Sequence, residues 1–431
     1  MASIGTIHTT VSSEVASTAT LFSDVVESSA LVSGTTYHVV CHALCEASSD
    51  RRLFEWRLVD KTNSDTVLSN STMKRNPATA DSTQSYSFVG KFTAGSDGGG
   101  LTFQQKSSAT QTVRTQYLSM ILFDLSNLES SDYFYANDTT AASQSGLFVD
   151  RASLTVSTPT SGDTYLMFGW LATDVNNTAI NSEMRMRVTA SGETDIEKPF
   201  ISYEGADSSE VLNSWICRPY TMTDTATTFT VQTRDDNAAG VVNEYLESTI
   251  FGLRLNAFEN FSQRYTDGET TTTSTDWYEV SNISITPTAS GDVNVFADAV
   301  FRPQNALYYS YERLQVDGTT SPNAIPDSEI NAKSADSTDY LSLPYVTQYS
   351  GVKATSATID LDVKKNNAAD VGWLNTSISA FTSALVPLPI VYSSVASQAY
   401  NSGDVAAQTH NSGDAASESF NSGDVASEVN P

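Results

Sequence analysis

The chain has 431 residues, with 23 Lys plus Arg against 50 Asp plus Glu and a net charge of −27. So acidic a surface argues against nucleic acid and against anionic membranes as partners, because phosphate contacts need a basic face. Three cysteines (Cys41, Cys45 and Cys217) in no framework spacing argue against a disulfide scaffold, and no run of 18 apolar residues offers a membrane-spanning helix.

In chain order, residues 1–18 read as an amino-terminal arm, small and uncharged apart from Glu14, with a simple lead into the first strand as the alternative. The first basic residue is Arg51, so no basic stretch begins a secretory signal. Synthesis in the cytoplasm without a signal peptide is therefore expected.

From there one pattern is written three times. Leu118-Ser-Met-Ile-Leu-Phe-Asp-Leu125 returns as Leu246-Glu-Ser-Thr-Ile-Phe-Gly-Leu253 and as Leu374-Asn-Thr-Ser-Ile-Ser-Ala-Phe381, at a spacing of 128 both times. The turn Ser33-Gly34-Thr35 recurs as Ser161-Gly162-Asp163 and Ser290-Gly291-Asp292, and Leu101 recurs as Phe229 and Ile359. Three anchors in one order at near-constant spacing mark a tandem repeat.

Each copy alternates with period two, as in Thr228-Phe-Thr-Val-Gln-Thr233, Asn282-Ile-Ser-Ile-Thr286 and Thr358-Ile-Asp-Leu-Asp-Val363. That alternation is the mark of a half-buried strand, and no long stretch shows helical spacing. The expected fold is all-β: three tandem antiparallel β-sandwich domains over 19–137, 146–266 and 276–390. A jelly roll is expected, with an immunoglobulin-type sandwich as the alternative. The polar stretches Asn137–Ser145 and Asp267–Thr275 read as linkers.

Beyond Pro389 a ten-residue repeat appears: Tyr400-Asn-Ser-Gly-Asp404, His410-Asn-Ser-Gly-Asp414 and Phe420-Asn-Ser-Gly-Asp424. Residues 391–431 read as a carboxy-terminal arm that docks on a partner through Tyr400, Asp404, His410, Asp414, Phe420 and Asp424. A flexible tail is the alternative, since such a composition cannot bury a core of its own. Calcium-binding repeats have a nine-residue period with paired glycines, which this tail lacks.

No catalytic, cofactor-binding or metal site is expected. His38, Cys41, His42 and Cys45 read as a string resemble zinc ligands. On a strand, however, the two cysteines lie about 13 Å apart on one face, with the histidines on the other. Asp97-Gly-Gly-Gly100 lacks the Lys-Ser/Thr and the helix of a phosphate loop. Asp235-Asp236 sits in a turn-like stretch. The clusters Tyr133-Phe-Tyr135 and Tyr308-Tyr309 with Tyr311 could offer rings to a host-surface glycan.

Tandem β-sandwiches, a Thr/Ser/Ala-rich acidic composition, few cysteines and terminal arms make the chain resemble the structural proteins of tailed-bacteriophage virions. The resemblance implies a location in the virion, as a capsid decoration, head-fibre or tail-appendage protein, with no enzymatic activity. It implies other capsid or tail proteins as partners, together with self-association into a homo-oligomer such as a trimer. A tail-fibre or baseplate receptor-binding protein and a bacterial surface adhesin are the alternatives. A polysaccharide-degrading enzyme would need two carboxylates set across a cleft.

Overall fold

The structure is a computed structural model that describes residues 3–48, 52–75, 82–109, 111–144, 146–175, 182–189, 210–223, 226–235, 243–272, 275–303, 309–317, 323–324, 330–333, 341–365 and 371–386. Residues Met1–Val386 form one compact unit. The expected arm over 391–431 lies outside the described residues.

The first copy comprises β1 (Gly5–Val11), β2 (Val15–Ser17), β3 (Ser23–Glu27), β4 (Thr36–Ala47), β5 (Phe54–Asp60), β6 (Thr66–Val67), β7 (Met73–Arg75), β8 (Ser82–Thr93), β9 (Leu101–Ser107) and β10 (Val113–Asp124). The second comprises β11 (Tyr133–Asp138), β12 (Ala142–Ser143), β13 (Val149–Val156), β14 (Thr164–Val175), β15 (Ser182–Thr189), β16 (Glu210–Thr221), β17 (Thr227–Asp235) and β18 (Glu244–Arg254). The third comprises β19 (Phe261–Thr272), β20 (Tyr278–Ile285), β21 (Gly291–Pro303), β22 (Tyr309–Asp317), β23 (Asn323–Ala324), β24 (Ile330–Lys333), β25 (Leu341–Gly351), β26 (Ala357–Lys365) and β27 (Val371–Thr382).

All pairings in these sheets are antiparallel, and the strand order is the same in each copy. One sheet runs β1-β10-β4-β8, then β11-β18-β14-β16, then β19-β27-β21-β25. With the short β2, β6, β12 and β24 set aside, copies one and three have eight strands and copy two has seven among the described residues, the fifth being absent from them; numbered so, this is first–eighth–third–sixth. The other sheet runs β3-β9-β5-β7, β13-β17-β15 and β20-β26-β22-β23, which is second–seventh–fourth–fifth in copies one and three and second–seventh–fourth among the described strands of copy two. Two such four-stranded sheets wound from one chain make a jelly roll. The immunoglobulin alternative is excluded by this order. The sequence anchors fall on equivalent strands: Leu118, Leu246 and Leu374 in the eighth, Leu101, Phe229 and Ile359 in the seventh.

The repeated turn between second and third strands shows why glycine recurs there. Gly34 and Gly162 have φ of +80° and +89°, where an L side chain is strained. The Gly34 amide donates to the Ala94 carbonyl at 2.8 Å, and the Gly162 amide donates to that of Met222 at 2.9 Å. No heavy atom lies within 4 Å of an added Cβ at either position. Gly162→Ala is therefore expected to cost only the backbone conformation, about 1–2 kcal/mol, read as a lowered urea midpoint.

The polar segments fold differently from expectation. The arm expected over 1–18 contains β1 and β2, both paired with β10. The linker expected over Asn137–Ser145 overlaps β11 and β12, which pair with β18. That expected over Asp267–Thr275 overlaps β19, paired with β27. These are sheet-edge strands, held by backbone hydrogen bonds that ask little of side-chain polarity. The junctions between copies lie earlier, between Asp124 and Tyr133 and between Arg254 and Phe261.

The third and eighth strands of the three first–eighth–third–sixth sheets are largely buried on both faces. Strand β4 is buried along all but its first residue, one face inside its own sandwich and the other against the neighbouring copies. The packing between copies is cyclic. Sixth strand β8 packs on β14, β16 and β18 of copy two; sixth strand β16 packs on β19, β21 and β27 of copy three; sixth strand β25 packs on β4 and β10 of copy one. A head-to-tail contact that closes after three steps is a ring with pseudo-threefold symmetry.

Phenylalanines from all three copies meet inside this ring. Phe123 lies 6.4 Å from Phe251, 6.1 Å from Phe296 and 6.3 Å from Phe381 between ring centroids, while Phe168 lies 5.2 Å from Phe296 and 5.8 Å from Phe251. All five are buried. At the closing contact Tyr117 Oη donates to the Val346 carbonyl at 3.1 Å. Tyr117→Phe leaves that buried carbonyl without its side-chain donor and is expected to cost about 1 kcal/mol in a chemical melt.

Candidate functional site

Two arrangements repeat with the ring. The first lies at the contacts between copies, on the third strands, at positions 128 residues apart: His42, Trp170 and Asp298. Each meets the sixth strand of the preceding copy. Trp170 Nε1 donates to the Ser87 carbonyl at 2.9 Å. The Cys217 amide donates to Asp298 Oδ2 at 3.4 Å. The His42 ring lies 6.4 Å from that of Tyr345.

The histidines of this region are held neutral. Burial pushes His42 down to about 3, against a hydrogen bond to the Tyr86 backbone. Burial, with Lys91 adding to it, pushes His38 down to about 4, where it stacks 4.9 Å from Phe251 and meets Tyr133 and Tyr135 edge-on. His8 is pushed down to about 4 by burial, against the nearby Asp292 carboxylate of copy three. Its Nε2 lies 2.9 Å from Ser119 Oγ. Ser119 is fully buried, so this Ser–His–Asp combination offers no nucleophile to an outside substrate.

The string His38, Cys41, His42, Cys45 is split by the strand. Cys41 and Cys45 join the apolar core of copy one, where burial raises both thiols well above their ordinary range. The two histidines face copies two and three. Among the described residues no three His, Cys, Asp or Glu side chains converge as a metal would need. The Asp97–Gly100 loop turns its polar groups on the protein itself: Asp97 Oδ2 accepts from the Ser64 amide at 3.0 Å, and the Gly100 amide donates to Glu27 Oε1 at 2.8 Å.

The second arrangement lies on the second–seventh–fourth strands and appears in all three copies. Just before each second strand an aromatic ring sits under two cations. Over Phe22 lie Arg57 at 3.6 Å and Lys106 at 4.5 Å; over Phe148, Arg185 at 4.0 Å and Arg234 at 4.4 Å; over Trp277, Arg313 and Lys364, both at 4.2 Å. Arg57, Arg185 and Arg313 are again 128 apart, on the fourth strands. The second cation of each pair comes from the seventh.

Each guanidinium is also oriented from the side. Arg57 Nε donates to Gln104 Oε1 at 2.9 Å, and Gln104 Nε2 donates to Asp24 Oδ1 at 2.7 Å. Arg185 Nε donates to Gln232 at 2.6 Å, and Gln232 donates to Asp150. Arg313 Nε donates to Asp362 Oδ2 at 2.9 Å, with Glu279 opposite Asp362 in the register. The register brings these side chains together: Asp24 faces Gln104 and Arg57 faces Gln104, as Asp150 and Arg185 face Gln232. Cation–ring contacts of this kind contribute about 0.5–2 kcal/mol each and pin the start of the second strand to the sheet. The signal was present in the sequence as an aromatic two residues before an acid (Phe22-Ser-Asp24, Phe148-Val-Asp150, Trp277-Tyr-Glu279), but it gains meaning only once strands two, seven and four lie side by side.

Beside the clamps of copies one and two stands an exposed leucine. Leu21 is 80 % exposed and Leu147 78 %, more than any other large apolar side chain among the described residues. They occupy one position of copies one and two. In copy three Asp276 stands there, and Tyr278, two residues on, is 47 % exposed.

Of the docking residues expected from sequence, Tyr400, Asp404, His410, Asp414, Phe420 and Asp424 all lie outside the described residues. Of the aromatic clusters, Tyr133, Phe134 and Tyr135 are half-buried on β11. Tyr135 lies beneath Lys91 at 4.2 Å, so that ring is already covered.

No family model matches the chain, and no curated protein matches it. Among solved structures it is similar to the chain described for the triple jelly roll fold and turret assembly in an archaeal virus, at 10% identity over 85% of this chain and 82% of that one, with a TM-score of 0.19. It is also similar to the tandem CBM22 domains of Paenibacillus barcinonensis Xyn10C, at 8% identity over 58% and 94%, TM-score 0.17. A third is the chain of T=1 particles derived from infectious bursal virus, at 10% identity over 59% and 66%, TM-score 0.22. Scores of this size carry no argument about role, and the jelly-roll assignment stands on the strand order alone.

Proposed function

We propose that this chain is a non-enzymatic structural protein of a viral particle, placed on its surface as a capsid decoration or head-fibre protein. The observation that carries the reading is the closed ring. Three jelly rolls commit their inner sheets to one another around a buried aromatic centre and turn three near-equivalent faces outward. Such a body is a rigid building block with threefold matching faces, suited to a symmetric shell or fibre. The strong negative charge keeps such a block soluble before assembly.

The test is location. Antibody raised against the chain, carried on gold, is applied to purified particles from the producing cells. Gold on the particle surface, together with co-sedimentation of the chain with particles in a density gradient, is the expected result. Gold on the cell envelope with none on particles would overturn the reading in favour of an adhesin. Gold confined to the particle's distal tail would move the protein to a receptor-binding role.

A further inference from the structure

We propose that the ring carries an acid-operated opening at the contact between copies three and one, with His8 and His42 as its latch. The inference goes beyond the structural role proposed above and does not rest on the viral reading.

Connectivity is the first argument. Copies one and two are joined through residues 125–132, and copies two and three through 255–260. Copies three and one are not consecutive, so no short linker crosses their contact. The contact between one and two carries two further ties: Val211 of β16 pairs with Lys74 of β7, and buried Arg75 donates to Glu210 Oε2 at 3.3 Å. Across the closing contact, hydrogen bonds join groups that water can serve equally well. Gln348 Nε2 donates to Thr6 Oγ1 at 3.2 Å, the Ile4 amide donates to the Ser383 carbonyl at 3.0 Å, and Tyr117 donates to Val346. Exchanged for bonds to water, each adds little to holding the contact shut.

Chemistry is the second. Two of the chain's four histidines lie at this contact. His42 on β4 meets Tyr345 of β25 across it, with Tyr117 of β10 and Ser85 of β8 on its own side. His8 on β1 lies near Asp292 at the start of β21, with Ser119 of β10 beside it. Among the described residues Asp292 is the charge that acts on His8, where burial outweighs its attraction, and none acts on His42. Both rings are therefore largely neutral while the contact is closed and take a proton once it opens to water. Below pH 6.5 acid favours the open form, by up to about thirtyfold for each histidine at pH 5. His38 stacks instead on Phe251 of copy two, where a linker and a strand pairing keep the copies together. What opening uncovers is the aromatic centre, since Phe123 of copy one packs there on Phe296 and Phe381 of copy three.

The test is side-chain labelling of the full chain by a brief pulse of hydroxyl radicals, read by peptide mass spectrometry. Buried Tyr117 and Tyr345 report the closing contact, and buried Trp170, bonded to Ser87, reports the contact between copies one and two. From pH 7.5 to 5, labelling of both tyrosines is expected to rise at least tenfold and to reverse on return to pH 7.5, with Trp170 still protected. His8→Gln and His42→Phe, made separately, should each move the rise to lower pH, whereas His38→Phe should leave it in place. Tyrosines that stay protected at pH 5, a Trp170 that becomes labelled with them, or a rise that keeps its midpoint in both His8→Gln and His42→Phe would each overturn the proposal. None of these outcomes bears on whether the chain is found on particles.

Discussion

Acidification from pH 6.5 to 4 is expected to remove much of the protein's stability by working on three histidines. His8, His38 and His42 have folded-state values of about 4, 4 and 3, against about 6.5 in an unfolded chain. Above pH 6.5 both states hold them neutral and they contribute nothing to pH dependence. As pH falls below 6.5 the unfolded chain takes up protons that the folded chain refuses, so stability declines until the folded values are reached. At pH 5 each histidine costs about 2 kcal/mol, a large share of an ordinary domain's 5–15 kcal/mol when three act together. Carboxylates add to acid unfolding, so the histidine share is isolated by comparison. His38→Phe replaces an imidazole already packed among Tyr133, Tyr135 and Phe251. Its urea midpoint should fall less steeply than that of the native chain between pH 7 and 5. Parallel pH profiles would show that His38 is solvated enough to protonate freely in the folded state.

The largest effect of a single truncation is expected at Phe296. Its ring touches Phe123 of copy one, Phe168 of copy two and, at 5.9 Å, Phe381 of its own copy. Phe296→Ala should cost about 3–5 kcal/mol, because the rigid sheets around it cannot collapse into the space. The distribution of that loss is informative. With the copies coupled through one centre, a chemical melt should stay a single transition and shift as a whole. Separation into transitions that begin at different denaturant concentrations would show instead that the copies hold together independently of the aromatic centre.

Much of the fold was legible before any coordinates. The 128-residue spacing located equivalent strands, and the alternation in Thr228–Thr233 and Thr358–Val363 marked seventh strands that carry it through. What could not be read was anything that depends on strands far apart in sequence. Residues 1–18 read as an arm, and Asn137–Ser145 and Asp267–Thr275 as linkers, because small and polar residues dominate them, yet they hold β1, β2 and β12 and the ends of β11 and β19. An edge strand can be written in those letters, since its partner supplies backbone hydrogen bonds and only part of its surface is buried. The ring was invisible for the same reason: β8 meeting copy two and β25 returning to copy one are contacts across hundreds of residues. The clamp was half visible. Arg57, Arg185 and Arg313 share the repeat spacing, but an arginine between apolar residues on a strand carries no sign of the ring it covers until strands two, seven and four are side by side.

The covalent linkage of the three copies has a consequence at the contacts between them. A trimer of identical chains must place one residue at all three of its contacts, so an acid buried at one is buried at each, with the cost of desolvating it incurred three times. In this chain the corresponding positions are held by His42, Trp170 and Asp298, all buried, and only one of the three is an acid. Each copy differs at its own contact, and the threefold frame survives while its chemistry is one-sided. A body of this kind can be symmetric in shape and polar in character, with three distinguishable sides.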